Sequence, residues 1–312
     1  MRVISEHETN ALVTWKMAFE AARQALMSAA TDGTIFPPVV AVTGTAGNRF
    51  SIKAGVHDGA TGLKIGSFWP GNAARGLPRH SSLILLFDEA TGRIDTAIEA
   101  SAANAFRTAA ADAVAADTLA RRDVRTLVVF GAGHQAFHEV TALSKVRAFE
   151  RVLVVNRTAA ATRSFIDKLA AHGIDSIAAD ARNACLAADV IVTVTGSREP
   201  LFHADWVRPG THIAAMGADA AGKQELPREL FARATLFCDS PNQSVQIGEF
   251  QSIASRVQSA EMTLTPIGRV LLGEHPGRLS DDEITIFDSS GIALQDLALA
   301  RIIASRLNDH HG

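Results

Sequence analysis

The chain has 312 residues, 47% of them hydrophobic and 20% charged, enough to bury one large core or two of medium size, and it reads as a globular protein of two domains. Its 30 basic and 33 acidic residues leave a net charge of −3 with no block of like sign, so neither nucleic acid nor an anionic membrane is expected as the main partner. The two cysteines, Cys185 and Cys238, show no metal-ligand spacing, the N-terminus has no apolar signal core, and no apolar run nears the roughly 20 residues of a membrane helix; a reducing cytoplasm is the expected setting.

In chain order, Leu12, Trp15, Phe19, Ala22 and Leu26 recur at intervals of three and four and predict one amphipathic helix ending near Asp32-Gly33. Between Pro37 and Asp88, β-prone pieces (PPVVAVTG, RFSIKAG, TGLKIGSF, SSLILLFD) are punctuated by glycine and proline and predict a meander or mixed sheet. Residues 97–120 are alanine-rich, without Gly or Pro, and predict a long helix with RRDVR behind it as a linker. From Thr126 the texture changes. Strand TLVVF, a helix from Gly133, strand RVLVVN, helix AAATRSFIDKLAAHG, a short strand near Ile177, a helix around Ala184 and strand DVIVTVT alternate at short period, with HIAAMG and ATLFCD to follow. That alternation predicts an α/β fold, a Rossmann-type doubly wound parallel sheet covered on both faces.

The turn after TLVVF carries the first chemistry. In GAGHQA, Gly131 lets the chain turn sharply, Gly133 leaves room for a pyrophosphate against the backbone, and Ala136 lets helix and strand pack closely. The helix N-terminus then offers free N–H groups to phosphates. A glycine turn alone is weak evidence; this one follows an apolar strand, opens a helix and is followed by a second strand at βαβ distance. At the end of that strand, an NAD-selective site would present Asp or Glu to the ribose. Here Asn156, Arg157 and Thr158 stand there instead, a guanidinium with hydrogen-bonding neighbours suited to a 2′-phosphate, so NADP(H) is expected, with NAD(H) possible. The alternative is that Arg157 is a solvated arginine at a strand end.

Residues outside this segment carry a resemblance. GLKIGSFWPGNAARGLP, DEATG, AFRTAAADAVAADTLAR, GAGHQA, VNRT, ADVIVTVTGSREPLF, WVRPGTHIAAMGADAAGKQEL and FDSSGIALQDLALA occur in the order, and at about the spacing, of the ornithine cyclodeaminase/μ-crystallin family. The chain resembles that family over nearly its whole length. The resemblance implies a homodimer with an α+β substrate-binding and dimerisation domain, residues 1–120 completed by about 290–312, and an NAD(P)-binding Rossmann domain, residues 121–289. It also implies activities on small amino or imino acids: ornithine and lysine cyclodeaminases, an alanine dehydrogenase, and reductases of cyclic imines such as Δ1-pyrroline-2-carboxylate.

By the same resemblance, Lys64 and Arg107 match the family's ligands for the substrate carboxylate, and cations are what that task requires. Arg107 sits in an apolar helical stretch that would not accept an unpartnered charge, although an acid within the fold could also satisfy it. Asp219 matches the acid/base position that protonates an imine nitrogen or takes a proton from an amine; without the family it would read as a turn aspartate. His134 and Gln135 of the glycine turn, and Thr108 beside Arg107, are expected to line the cofactor. His134, His138, His203 and His212 lack metal spacing and are expected at the surface or against the cofactor.

Two departures from the family pattern stand out. Many members carry Pro-x-Arg in the first domain, whereas this chain has Pro37-Pro38-Val39. Ornithine cyclodeaminases also keep an acid where Asn156-Arg157-Thr158 stands, and the pattern here is the μ-crystallin-like one. Three readings follow: an NAD(P)H-dependent reductase of a small α-imino acid, a cyclodeaminase converting ornithine to proline and ammonia, and a nucleotide-gated binding protein without turnover.

Overall fold

The structure is a computed structural model that describes residues 1–31, 33–43, 47–57 and 59–309. It divides into two compact units, Met1–Thr108 with Ile292–Gly312, and Ala109–Gly291. The division falls inside a helix, twelve residues before the boundary drawn from sequence at 120. Residues 109–119 go with the second unit because that half of the helix is buried there, and Arg147 donates to the carbonyls of Ala116, Asp117 and Ala120 at its end.

The first unit runs β1 (Arg2–Ile4), α1 (Glu6–Leu12), α2 (Trp15–Ala29), β2 (Thr34–Ile35), β3 (Val39–Thr43), β4 (Asn48–His57), β5 (Ala60–Phe68), β6 (His80–Phe87), β7 (Ile94–Glu99), the start of α3 (Ser101–Leu119) and, last in sequence, α10 (Ala293–Asp309). The single helix expected at the start is two. Val13 ends α1 in extended conformation, and Thr14 caps α2 by accepting from the Met17 N–H. The expected end near Asp32 lies outside the described residues. The long helix also starts later than expected, because Ala97 and Ile98 lie in β7, paired antiparallel to β6 and parallel to β1. Strand pairing overrides alanine's helix propensity there. The result is a mixed sheet, β1-β7-β6-β5-β4-β2 with β3 also on β4, and one of its faces is packed by α10. Gly55 and Gly62 permit this approach: a Cβ there would come within 2.8 Å and 2.9 Å of Leu294 and Leu297 respectively.

The second unit continues with β8 (Thr126–Phe130), α4 (His134–Val146), β9 (Arg151–Val155), α5 (Ala159–Ala170), β10 (Ser176–Ala178), α6 (Ala181–Ala187), β11 (Val190–Thr193), β12 (His212–Ala215), β13 (Ala234–Cys238), α7 (Pro241–Ser244), α8 (Ala254–Gln258), β14 (Leu264–Pro266), α9 (Ile267–Leu271) and β15 (Ile284–Asp288). Among the described residues its sheet is parallel throughout, ordered β10-β9-β8-β11-β12-β15-β13-β14. Every residue of β8, β11 and β15 is buried, as in a sheet covered on both faces. The chain reverses its direction of travel between β8 and β11. In such sheets ligands bind at the strand ends beside that switch point, which is where the Gly131 turn lies.

One expectation is corrected here. His212 is not at the surface: it is fully buried in β12, with Nδ1 2.9 Å from Thr285 Oγ1 on the neighbouring strand. Burial, with Arg278 and Arg147 nearby, pushes its pKa down to about 3. No helix among the described residues is long and apolar enough to cross a membrane.

Candidate active site

In the first unit, β5 alternates so that Gly62, Lys64 and Gly66 are buried while Ile65 is exposed. Lys64 is thus carried inward, where its Nζ lies 2.9 Å from Asp296 Oδ1 on α10 and also donates to Asn104 Oδ1 on α3. Arg107, one turn beyond Asn104, donates to the same two oxygens, from Nε to Asp296 at 3.0 Å and from Nη2 to Asn104 at 2.7 Å, and to Gln295 Oε1 at 3.2 Å. Lys64, Arg107 and Asp296 are 5%, 7% and 1% exposed. Two buried cations therefore share one carboxylate oxygen. The other, Oδ2, is buried without a hydrogen bond, and so is Nε2 of Gln295.

Burial is the main influence on Lys64 and Arg107 adds to it; against the pull of Asp296 they bring the ammonium down to about pKa 7. For Asp296, burial would raise the pKa, but Arg107 and Lys64 outweigh it and hold the carboxyl below its ordinary value. An ammonium this close to losing its proton is short of negative charge. A ligand carboxylate would supply it.

In the second unit, Gly131 has φ +120°, a conformation L-residues rarely adopt, and its N–H donates to Val155 O, fastening the turn to the end of β9. A Cβ on Gly133 would meet nothing within 4 Å, so the N-cap of α4 faces open space of the kind a pyrophosphate needs. The His134 and His138 rings pack at a tilt with centroids 4.7 Å apart, Gln135 donates to Glu139 Oε1 at 2.8 Å, and Ala136 is buried. Burial, then Lys168, lowers the pKa of His134. Asn156, Arg157 and Thr158 are exposed at the end of β9, and a pocket of about 390 Å³ bordered by Asn156 and Arg157 also takes in Thr162 and Arg163. Thr108 belongs to the first unit, and its hydroxyl donates to Asn104 O on its own helix.

Asp219 follows β12 and is paired with Lys223 at 2.5 Å; Lys223 also donates to Gly217 O at 3.0 Å. Its side chain is 45% exposed, so it can meet a ligand. Behind it, fully buried Glu225 accepts from Thr195 N and Oγ1 (2.6 and 2.7 Å) on one oxygen and from Thr193 Oγ1 and Gly217 N (2.8 and 2.9 Å) on the other. One carboxylate thereby fixes the ends of β11 and β12 and the start of the Asp219 segment.

The structure brings Lys64 and Arg107 together, and with them Asn104, Gln295 and Asp296, which sequence reading had not singled out. Asp296 left a signal: an acid in the apolar run IALQDLALA has to be paired or functional. Lys223 and Glu225 stand in the motif quoted for Asp219, but nothing in the spacing showed what they hold. Among the described residues no cluster of His, Cys, Asp or Glu could hold a metal.

The chain is similar over its whole length to known proteins. The profile of the Ornithine cyclodeaminase/mu-crystallin family matches residues 2–311. Iminosuccinate reductase of Paracoccus denitrificans is 38% identical, with 100% of this chain and 98% of that protein covered, and its crystal structure in complex with NAD+ superposes with a TM-score of 0.91. Alanine dehydrogenase of Archaeoglobus fulgidus is 34% identical over 96% of this chain and 93% of its own, and the structure of an archaeal alanine dehydrogenase dimer with bound NAD gives a TM-score of 0.92 at 31% identity, covering 100% of this chain and 97% of that one. The Δ1-pyrroline-2-carboxylate reductase of Paracoccus denitrificans is 35% identical over 96% of this chain and 95% of that protein. The chain belongs to the ornithine cyclodeaminase/mu-crystallin family.

Proposed function

We propose that the chain is a nicotinamide-dependent reductase that converts a small α-imino acid to the amino acid. The observation that carries this reading is the buried pair Lys64 and Arg107, two cations held by a single carboxylate, which supports an anionic ligand at that place. Lys64 and Arg107 bind the substrate carboxylate and orient the C=N carbon; the planar guanidinium makes a two-point contact and the ammonium adds charge. Gly131, Gly133 and the first turn of α4 would hold the cofactor's pyrophosphate, and a bound nicotinamide would supply the hydride. Asp219 delivers the proton to the imine nitrogen and recovers it from solvent, while Lys223 keeps its carboxyl in one position. The names of the relatives, three of them reductases or dehydrogenases of imino or amino acids, support the same class.

The cofactor is NADP(H) in preference to NAD(H) on this reading, since Arg157 and Arg163 border the β9-end pocket and no acid does. Arg157→Asp should then weaken NADPH binding while sparing NADH; an unchanged ratio of the two dissociation constants overturns the preference. The active form is a homodimer. Ile52, Val56, Leu63, Ile65, Leu83 and Leu85 lie on the sheet face away from α10, all at least partly exposed, an apolar area suited to a second copy. Ile65→Glu should give monomers in light scattering if that face is the interface.

The deciding experiment follows NADPH or NADH oxidation with Δ1-pyrroline-2-carboxylate and with imines formed from 2-oxo acids and ammonia, next to ornithine with NAD+. Imine-dependent oxidation lost in Arg107→Lys, with cofactor binding retained, supports the reading. Turnover of ornithine to proline without imine reduction refutes it.

A further inference from the structure

Antiparallel pairing in the first unit's sheet places directly opposed residues on one face, so the register lays out the surface around Lys64 in rows. Gly55 and Gly62 form the row under α10. Next comes Lys53 opposite Lys64, then Ser51, Gly66 and Ser82, then Arg49, Phe68 and His80. The last two rows carry the hydrogen-bonding side chains of Ser51, Ser82, Arg49 and His80. Three side chains converge on Gly66: a Cβ there would be in van der Waals contact with Ser51 Oγ at 3.5 Å, Lys64 Cε at 3.8 Å and His80 Nε2 at 3.9 Å. Ser82 Oγ, beside it, is buried, with the residue 3% exposed, and has no hydrogen-bond partner. Arg49 stands at the far end, its guanidinium 5.1 Å above the Phe68 ring.

A buried hydroxyl without a partner is expensive unless a ligand satisfies it, and the residues around this one are donors of positive or neutral charge. The clamp formed by Lys64 and Arg107 already accounts for one carboxylate. From the Lys64 row to the Gly66 row is two residues of strand, about 7 Å, a distance suited to the two ends of a short chain. We propose that Ser51, Ser82, His80 and Arg49 form a second anion subsite next to the clamp, and that the substrate is a short dicarboxylic α-imino acid. This deepens the reductase reading and rests on it for the chemistry, but binding at the subsite can be measured without turnover.

The test compares ligands that differ by one carboxylate. Succinate and butyrate are titrated calorimetrically into the protein saturated with NADP+ or NAD+, and kcat/KM is measured for the imine of oxaloacetate against the imine of 2-oxobutyrate and against Δ1-pyrroline-2-carboxylate. Hydrogen bonds to a charged group predict a preference of roughly 10- to 100-fold for the diacid in both measurements. In Arg49→Met and in Ser82→Ala that preference should shrink towards unity. Succinate binding no tighter than butyrate, or a preference that survives both substitutions, overturns the subsite. If no imine is reduced with either cofactor, the reductase reading falls, and the succinate and butyrate titrations still decide whether the second anion site exists.

Discussion

The two units bury ionisable groups to opposite ends. In the first, Lys64, Arg107 and Asp296 sit together with more positive than negative charge, and the pKa values of Lys64 and Asp296 both lie below their ordinary positions. In the second, Glu225, Glu249 and Asp288 are buried near one another, and all three pKa values are raised, burial being the largest cause for each. For Glu249, pushed up to about 9, and for Asp288, no cation is among the groups acting on them; backbone N–H groups hold their oxygens instead. The difference teaches what burial alone does not. A cluster richer in cations than in anions holds its pKa values low, whereas acids buried together have theirs raised and serve as fixed hydrogen-bond acceptors.

The comparison is broken most severely at the one acid of the second unit's motif that is exposed. Asp219→Asn, nearly isosteric, should lower kcat by about 10²- to 10⁴-fold with cofactor affinity unchanged, because it removes a group able to exchange a proton. A kcat within a few-fold of the parent would remove Asp219 from proton transfer. Next, Asp296→Asn strips Lys64 and Arg107 of the carboxylate they share and should cost about 3–5 kcal/mol in urea unfolding, as expected when one partner of a buried ion pair is lost.

The matched change in the second unit, Glu249→Gln, should cost less than about 1 kcal/mol, since a carboxyl that is already protonated loses little as an amide. Equal losses in the two variants would erase the contrast. The pH dependence sharpens it. Glu249 keeps its proton when folded up to about pH 9 but from only 4.5 when unfolded, so its contribution is full below pH 4.5 and is lost as pH rises to about 9. Lys64 has the opposite sign: with a folded value of about 7 against 10.5, its contribution is present above pH 10.5 and is lost as pH falls through 7. Urea midpoints across pH 5–9 should therefore flatten on the alkaline side in Glu249→Gln.

The smallest expected effect is on binding. If the Lys64 ammonium helps hold the substrate carboxylate, kcat/KM should decline above about pH 7, where the free enzyme loses that proton. In Lys64→Arg, whose charge persists, the decline should disappear from the profile even if the rate is lower. A parental profile that stays flat to pH 9 would mean that the ammonium is not needed.

The second unit was legible to a large degree because its signals are local. Apolar strands, the glycine turn at Gly131 and Gly133 and the run of alternating elements all lie within short windows, where backbone conformation and side-chain period leave their mark. What was missed there is non-local: β15, from a segment quoted only as a motif, enters the sheet between β12 and β13. His212, in the expected strand HIAAMG, was expected at the surface or against the cofactor, and it is buried on a strand paired with β15. In the first unit, Lys64 and Arg107 came from family resemblance rather than from any pattern of their own. Their partners Asn104, Gln295 and Asp296 come from α3 and α10, with 189 residues between Arg107 and Asp296.

The sequence by itself determined the fold class, the glycine turn after β8 and the family, because each is written in runs of contiguous residues. Only the tertiary structure decided which charges are buried together, which acids have their pKa raised, and that the buried Ser82 hydroxyl, in the row of Ser51 and Gly66, lacks a hydrogen-bond partner. The reason is physical: a pKa and an unmet hydrogen bond depend on desolvation and on neighbours brought in from distant parts of the chain.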